Sequence, residues 1–458
     1  MTSDNATLPL AGLRVLDLSY VFAVPYMAGL LSDLGAEVIK IEAPHRLDQT
    51  RRTFGPYIDN DPGEKGWNRS GSFQILNRGK QSLVLDMGQE EGRAIFRDLA
   101  RKSDIVLENF TPRVMRKWNC QYEELCKLHP ALIMLSNTGY GASGPWSTFP
   151  SQGTTLEATM GITRYTGYRG DKPWKVGQSY PDFLACWTGL SALFAALAER
   201  RKSGRGQHID LGMYQVGVAM IPEPILQHQL GRPEPERIGN EHPEHVPDNL
   251  YRASGSDSWV ALSVSNDAQW AQLARLMGRP QLADDPRFAR ESSRRLQRDT
   301  VNAMVADWVR DQDAHALSAC LQSHGIAAGP VLNNRDLLLD AHLRHRGFFE
   351  LVAHREPIGT RPLIGRPYRL RNRAARITKA APMFGEDNRS ILGELLGYGP
   401  EEIQALVARQ VICDEPVNPI PYGPIDVEAA MKRGTIMAVD ADYQDRLGLK
   451  GKEDAPDA

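Results

Sequence analysis

The sequence predicts an α/β protein: a parallel sheet covered by helices on both faces, with a second compact, helix-rich block in the middle of the chain. Short apolar runs suited to buried strands alternate with amphipathic helical patterns through the first ~210 residues, as a parallel sheet requires. A chain of 458 residues exceeds one core, since domains average about 150 residues. A Pro-, Glu- and His-rich stretch at 229–247 then separates this region from a new run of strand and helix patterns.

In order, Leu13–Leu18 is a strand, Pro25–Leu34 has helical spacing, and Ala36–Ile41 is a strand ending at Glu42. The pattern repeats with strand Ser82–Asp86, helix Gln89–Arg101, strand Asp104–Glu108, helix Tyr122–Leu128 and strand Ala131–Leu135. Ala185–Arg201 is the most apolar helix, closed by basic residues and Ser203-Gly-Arg-Gly206, and Gln207–Leu211 follows as a strand. These limits give a large domain over 1–228, a linker over 229–247 and a small domain over 248–340. The small domain opens on Trp259–Val264, with helices near Asp267–Met277 and Asp299–Asp311. The chain then returns to the large domain over 341–413, with a last helix at Pro400–Arg409, and ends in an arm or tail over 414–458.

Composition excludes several functions. With 54 Lys plus Arg against 56 Asp plus Glu the net charge is -2, so no global basic field draws nucleic acid or an anionic membrane. No run approaches the ~18 apolar residues of a membrane span, and Met1–Leu10 lacks the basic start and apolar core of a signal peptide. The five cysteines are scattered without a CxxC pair, which argues against disulfides or a cysteine zinc site and for a reducing cytoplasm. His242/His245 and His342/His345 are spaced HxxH rather than i, i+4, and Pro243 interrupts the first pair, so no metal is expected.

The opening strand–loop–helix suggests a dinucleotide site, with Glu42 where a ribose-binding acid would sit. The first turn, Asp17-Leu-Ser-Tyr-Val-Phe-Ala-Val-Pro25, contains no glycine, whereas a bound pyrophosphate needs close backbone approach. There is no GxxxxGK[ST] and no GxSxG, which argues against phosphoryl transfer and serine hydrolysis.

Six segments taken together resemble the family III CoA-transferases. They are LAGLRVLDLSYVFAVPYMAGLLSDLGAEVIKIE, LNRGKQSLVLD, VLENFTPRVMRKW, SNTGYGASGPW, YPDFLACWTGLSALFAALAERRKSGRGQHIDL and RIGNEHPEHVPDNLY, in the family's order and spread from about Leu10 to Ile412. The resemblance implies a Rossmann-like large domain built from both chain ends, a small α+β domain, and an interlocked homodimer. It also implies coenzyme A thioesters as substrates with no tightly bound cofactor, and a free carboxylic acid as the second partner.

Asp182, in Ser179-Tyr-Pro-Asp182, fits a capping box by spacing alone, with Pro181 suited to a first helical turn. The resemblance places the family's nucleophilic aspartate on this position, and the two roles are compatible, because a helix N-terminus favours the ionised form that attacks. The implied chemistry passes through an aspartyl anhydride and an aspartyl-CoA thioester. Each step forms an oxyanion, so N–H donors are expected near Gly139–Gly141 or in the 239–248 segment. An anhydride must be kept from water, and Phe22, Trp146 and Trp187 are apolar candidates for that.

For CoA, the resemblance points to Val21 and Ala23 in the first loop, Arg78 and Lys80 in Asn77-Arg-Gly-Lys80, Asn109-Phe110 at a strand end, and Arg116 with Lys117 as phosphate-binding cations. Without it these cations read as solvated surface. Phe22, Gly139 and Tyr140 match acyl-side positions. Formyl-CoA transferases carry a glutamine at Phe22 and a glycine-rich loop at Gly239–Pro247, so the exchange to phenyl argues for a larger, less polar acid than oxalate. The family's basic residue after Glu42 is Ala43 here, leaving Arg46 or Arg51 as substitutes. Two other functions compete with this reading: an acyl-CoA racemase, whose His-Asp dipeptide is replaced by Gln152-Gly153, and a non-catalytic CoA-binding subunit, which would not require Asp182.

Overall fold

In the computed structural model the described residues are 8–52, 56–177, 180–355, 358–371, 375–419 and 422–449. Two compact units result, one from residues 1–161, 177–222 and 338–458, the other from 162–176 and 223–337. The middle unit therefore also takes in 162–176 and the segment read as a linker.

The large unit is built on β1 (Arg14–Asp17), β2 (Glu37–Glu42), β3 (Gln81–Val84), β4 (Ile105–Glu108), β5 (Ile133–Thr138) and β6 (His208–Gly212). They lie in the order β3-β2-β1-β4-β5-β6, every pair parallel. Strands buried on both faces read as continuous apolar runs, and β4 (IVLE) is buried throughout. The order reverses between β1 and β4, which opens a crevice at their carboxyl ends, at Asp17 and Glu108.

Two helices set the site. Helix α1 (Ala23–Asp33, AVPYMAGLLSD) has all eleven residues buried, as an interior helix that is apolar nearly all round should. The other central helix, Tyr180–Ser203, has a mean hydropathy of 1.4 over its most apolar window and is long and apolar enough to cross a membrane. That corrects the expectation that no segment qualifies, although Ala185, Cys186, Gly189, Leu193 and Leu197 bury one face of it in the protein. Gly189 permits the close pairing with α1: a Cβ there would lie 2.4 Å from Cε of Met27.

The chain's end completes this unit. Asn388 donates to Cys413 O and accepts from Val84 N–H, which ties the end of β3 to residues past the last long helix. The described part of the arm is ordered on the 57–69 loop. Tyr422 stacks edge-on to Tyr57 at 5.9 Å and tilts against Trp67 at 6.0 Å. Asn60 makes two hydrogen bonds to the backbone of Ile425, 2.7 and 2.9 Å. Gly66 is required there, since a Cβ would lie 2.6 Å from Cγ of Tyr422.

The second unit holds a three-stranded antiparallel sheet, β7 (Asp248–Arg252), β8 (Trp259–Ser263) and β9 (Ala327–Pro330), ordered β7-β8-β9. Trp270, Phe288, Val301, Val305 and Leu321 fill its core, so it is a small α+β domain.

Candidate active site

Asp182 stands in the first turn of the helix Tyr180–Ser203, next to Pro181, whose missing N–H costs nothing at that place. Ser179, the other half of the expected capping box, lies outside the described residues. The Asp182 carboxylate is half-buried, and the N–H groups of Ala23 and of Asp182 itself lie close enough to favour its charged form. Burial pushes its pKa up from 3.8 to about 6; the two N–H groups oppose the rise, and the negative charge of Glu157 adds to it. The group is thus held in an environment that resists charge, yet it is mostly ionised at neutral pH. The Gly189 contact lies two helical turns along from Asp182, hence on the same face, so it brings this carboxylate to the N-terminus of α1.

The loop between β1 and α1 has no glycine but still bends: Val21 takes a φ of 71°, a left-handed conformation that costs a β-branched residue about 1–3 kcal/mol. Buried side chains hold it there. Asp17 accepts from Ser19 N–H at 3.0 Å, Lys40 donates to Ser19 O at 2.7 Å, and Asp48 accepts from Val21 N–H at 3.3 Å. Asn109 accepts from Tyr20 N–H at 3.0 Å and donates to Tyr20 O at 2.7 Å. Lys80 donates to Pro25 O at 2.9 Å, to Asp17 at 2.7 Å and to Asn77 at 2.8 Å. Phe110 packs edge-on to Tyr20 at 5.8 Å.

The predicted cations divide. Lys80 and Arg78 have no exposed side-chain surface; Arg78 is paired with Asp33 at 2.8 Å and lies over the Tyr26 ring. Both are turned inward and present no charge to a groove, contrary to the solvated placement their spacing suggested. Arg51 is also fully buried, bidentate to Glu42 at 2.7 and 2.8 Å, so that Glu42 is closed to a ribose. Arg46 is exposed. Arg116 and Lys117 are exposed on the short helix α2 (Pro112–Lys117), which starts directly after Asn109-Phe110 at the crevice, and Arg113 is exposed on the same helix.

Gly139 and Tyr140 follow β5. A Cβ on Gly139 would collide with Ser151, which fixes that loop against the start of α3 (Gly153–Thr159), the helix carrying Glu157. The N–H groups of Gly141 and Ala142 are already engaged, by Thr138 and Asp210, and so do not serve as the expected oxyanion donors. The 239–248 segment belongs to the second unit. Tyr140 meets Trp146, Phe149 and Tyr214 in an aromatic cluster. Phe22 is half-buried, and Trp187 packs edge-on against Tyr26.

Sequence reasoning missed Glu157, a fully buried carboxylate that acts on Asp182 through space and sits in no motif. It also missed Asp17, Lys40 and Asp48. The available signal was Lys40 itself, a charge set inside the apolar run EVIKIE. No group of three or more metal-ligating side chains occurs among the described residues. His242 and His245 instead stack at 4.3 Å, with His245 bonded to Glu291 at 2.6 Å.

Comparison with known proteins agrees with this geometry. The sequence model of CoA-transferase family III matches residues 10–388. The chain is 32% identical over 412 residues to the succinyl-CoA–D-citramalate CoA-transferase of Chloroflexus aurantiacus, covering 90% of this chain and 100% of that protein. It is 35% identical over 326 residues to the acetyl-CoA:oxalate CoA-transferase of Acetobacter aceti, covering 71% and 81%. The crystal structure of a CAIB/BAIF family protein from Brucella suis superposes with a TM-score of 0.77 at 31% identity, covering 85% of this chain and 100% of that one. With its six-stranded parallel sheet, the chain belongs to CoA-transferase family III and is an enzyme that transfers coenzyme A.

Proposed function

We propose that the protein moves CoA from an acyl-CoA donor to a free carboxylic acid through a covalent intermediate on Asp182. The observation that carries this reading is a half-buried carboxylate, raised to about 6, that faces the N–H of Ala23 at the N-terminus of α1. The ionised Asp182 oxygen attacks the thioester carbonyl, the C–S bond breaks, and CoA leaves as thiolate from a mixed anhydride. The thiolate attacks the aspartyl carbonyl carbon and expels the donor's acid as carboxylate, leaving an aspartyl-CoA thioester. The acceptor carboxylate displaces the thiolate, forming a second anhydride. The thiolate attacks its acyl carbon, which releases the new acyl-CoA and regenerates the carboxylate. Protons balance throughout, and each step uses only the Asp182 carboxylate, the CoA thiolate and the two carboxylic acids. The Ala23 N–H is the oxyanion donor at the aspartyl carbonyl.

CoA then lies in the β1/β4 crevice, along Val21, Ala23 and Asn109-Phe110, with its phosphates on Arg116, Lys117 and Arg113. Phe22, Gly139 and Tyr140 line the acyl side, and the phenyl ring of Phe22 favours an acid larger and less polar than oxalate. The helix Tyr180–Ser203 leaves Phe183 and Phe194 38% and 40% exposed, apolar surface suited to a second copy of the chain in a homodimer. All five cysteines are free thiols, in keeping with a reducing cytoplasm.

The test is incubation with a panel of acyl-CoAs, succinyl-CoA included, followed by hydroxylamine and peptide mass spectrometry. A hydroxamate on Asp182 is expected. A label on another residue, or α-proton exchange without CoA transfer, would overturn the mechanism and favour a racemase.

A further inference from the structure

The loop before α1 does without glycine because a buried charge lattice grips its backbone. Lys80 and Asp17 form one pair at 2.7 Å, Lys40 and Asp48 another at 3.2 Å, and all four side chains have no exposed surface. An ammonium has three N–H donors, and Lys80 uses all three, on Asp17, Asn77 and Pro25 O. Nothing of it remains for a phosphate. Pro25 is in the first turn of α1, two residues from Ala23.

Stability alone does not account for the lattice, since buried ion pairs are often matched by apolar residues of the same volume. What they supply is fixed geometry. Resting on the reading of Asp182 as the reacting group, we infer that Lys80, held by Asp17, is a positioning residue. It anchors the first turn of α1 so that the Ala23 N–H stays aimed at the Asp182 carboxyl while charge on that carboxyl comes and goes. The charged groups facing Lys80 are Asp17, Lys40 and Asp48, with Glu42 beyond Lys40. Burial lowers its pKa to about 8, so the anchor loses its charge within the range of an ordinary pH profile.

The experiment reads the Asp182 carboxyl directly, without a substrate. Labelling with a water-soluble carbodiimide and glycine ethyl ester is followed against pH by peptide mass spectrometry, with exposed Glu199 as the internal control. In Lys80→Met the Asp182 midpoint is expected to rise by about half to one pH unit, because the N–H that favours the ionised form is no longer held against it, while Glu199 does not move. If Lys80→Met fails to fold because Asp17 is left unpaired, Asp17→Asn/Lys80→Met removes both charges and makes the same prediction. With the donor that labels Asp182 in the hydroxylamine panel, kcat falls about 10- to 100-fold and KM for acyl-CoA changes by less than about twofold. An unchanged Asp182 midpoint, or KM rising with kcat held, overturns the inference. The nucleophile reading fails separately, if Asp182→Asn keeps full transfer, and the labelling midpoint reports on geometry in either case.

Discussion

Replacing Asp182 by Asn should abolish transfer and stabilise the protein. Raising a carboxyl from 3.8 to about 6 corresponds to about 3 kcal/mol of preference for the neutral form in the folded state. Because the side chain is only half-buried, screening by solvent reduces this to about 1–2 kcal/mol. The folded-state pKa lies above the unfolded one, so between pH 4 and pH 6 the native protein binds more protons than the unfolded chain. Stability from this group is therefore complete below about pH 4 and is lost as pH rises through about 6. Asparagine has no charge to bury. At pH 7.5 the variant should melt about 1–2 °C higher than the parent, and most of the gap should close as both are taken to pH 4.5. Paired thermal melts at the two pH values are the assay. A variant less stable at pH 7.5, or one whose advantage is the same at pH 4.5, would show that the carboxylate is not paying a desolvation cost and would refute the reasoning.

Glu157→Gln should move the acid limb of kcat, expected near pH 6, to lower pH, because it removes a negative charge acting on Asp182; the pH profile checks this. Arg116→Ala and Lys117→Ala should each raise KM for acyl-CoA several-fold, more at low salt than at high, and leave melting unchanged. Arg78→Ala should instead cost about 1.5–3 kcal/mol of stability, read by denaturant titration, because the buried Asp33 keeps only Arg366, at 3.0 Å, as a charged partner. Tyr422→Ala should expose the 57–69 loop to limited proteolysis while leaving CoA-binding affinity intact.

Much of the fold was legible because parallel strands buried on both faces announce themselves as apolar runs: LRVLDL and EVIKIE gave β1 and β2 to within a residue or two. The helix Tyr180–Ser203 was legible for the same reason, though its first turn was hidden by Tyr-Pro-Asp, which reads as a cap. The site was only half legible. Spacing cannot tell whether a lysine or arginine points out or in, and direction is set by partners far away in sequence: Asp17 for Lys80, Asp33 for Arg78. Glu157 was invisible because its effect on Asp182 is through space. The order of the arm was hidden as well, since a proline-rich segment without periodicity becomes structured only through the surface that receives it.

That arm imposes an order on the birth of the protein. Trp67 leaves the ribosome early, but its cover, Tyr422, is made 355 residues later by their numbering. At about 5–20 residues per second, an indole destined for a small satellite core waits roughly 20–70 s for its lid. Until then the nascent chain carries an uncovered apolar spot, a natural handle for a chaperone and a natural seed for aggregation when synthesis stalls near the end.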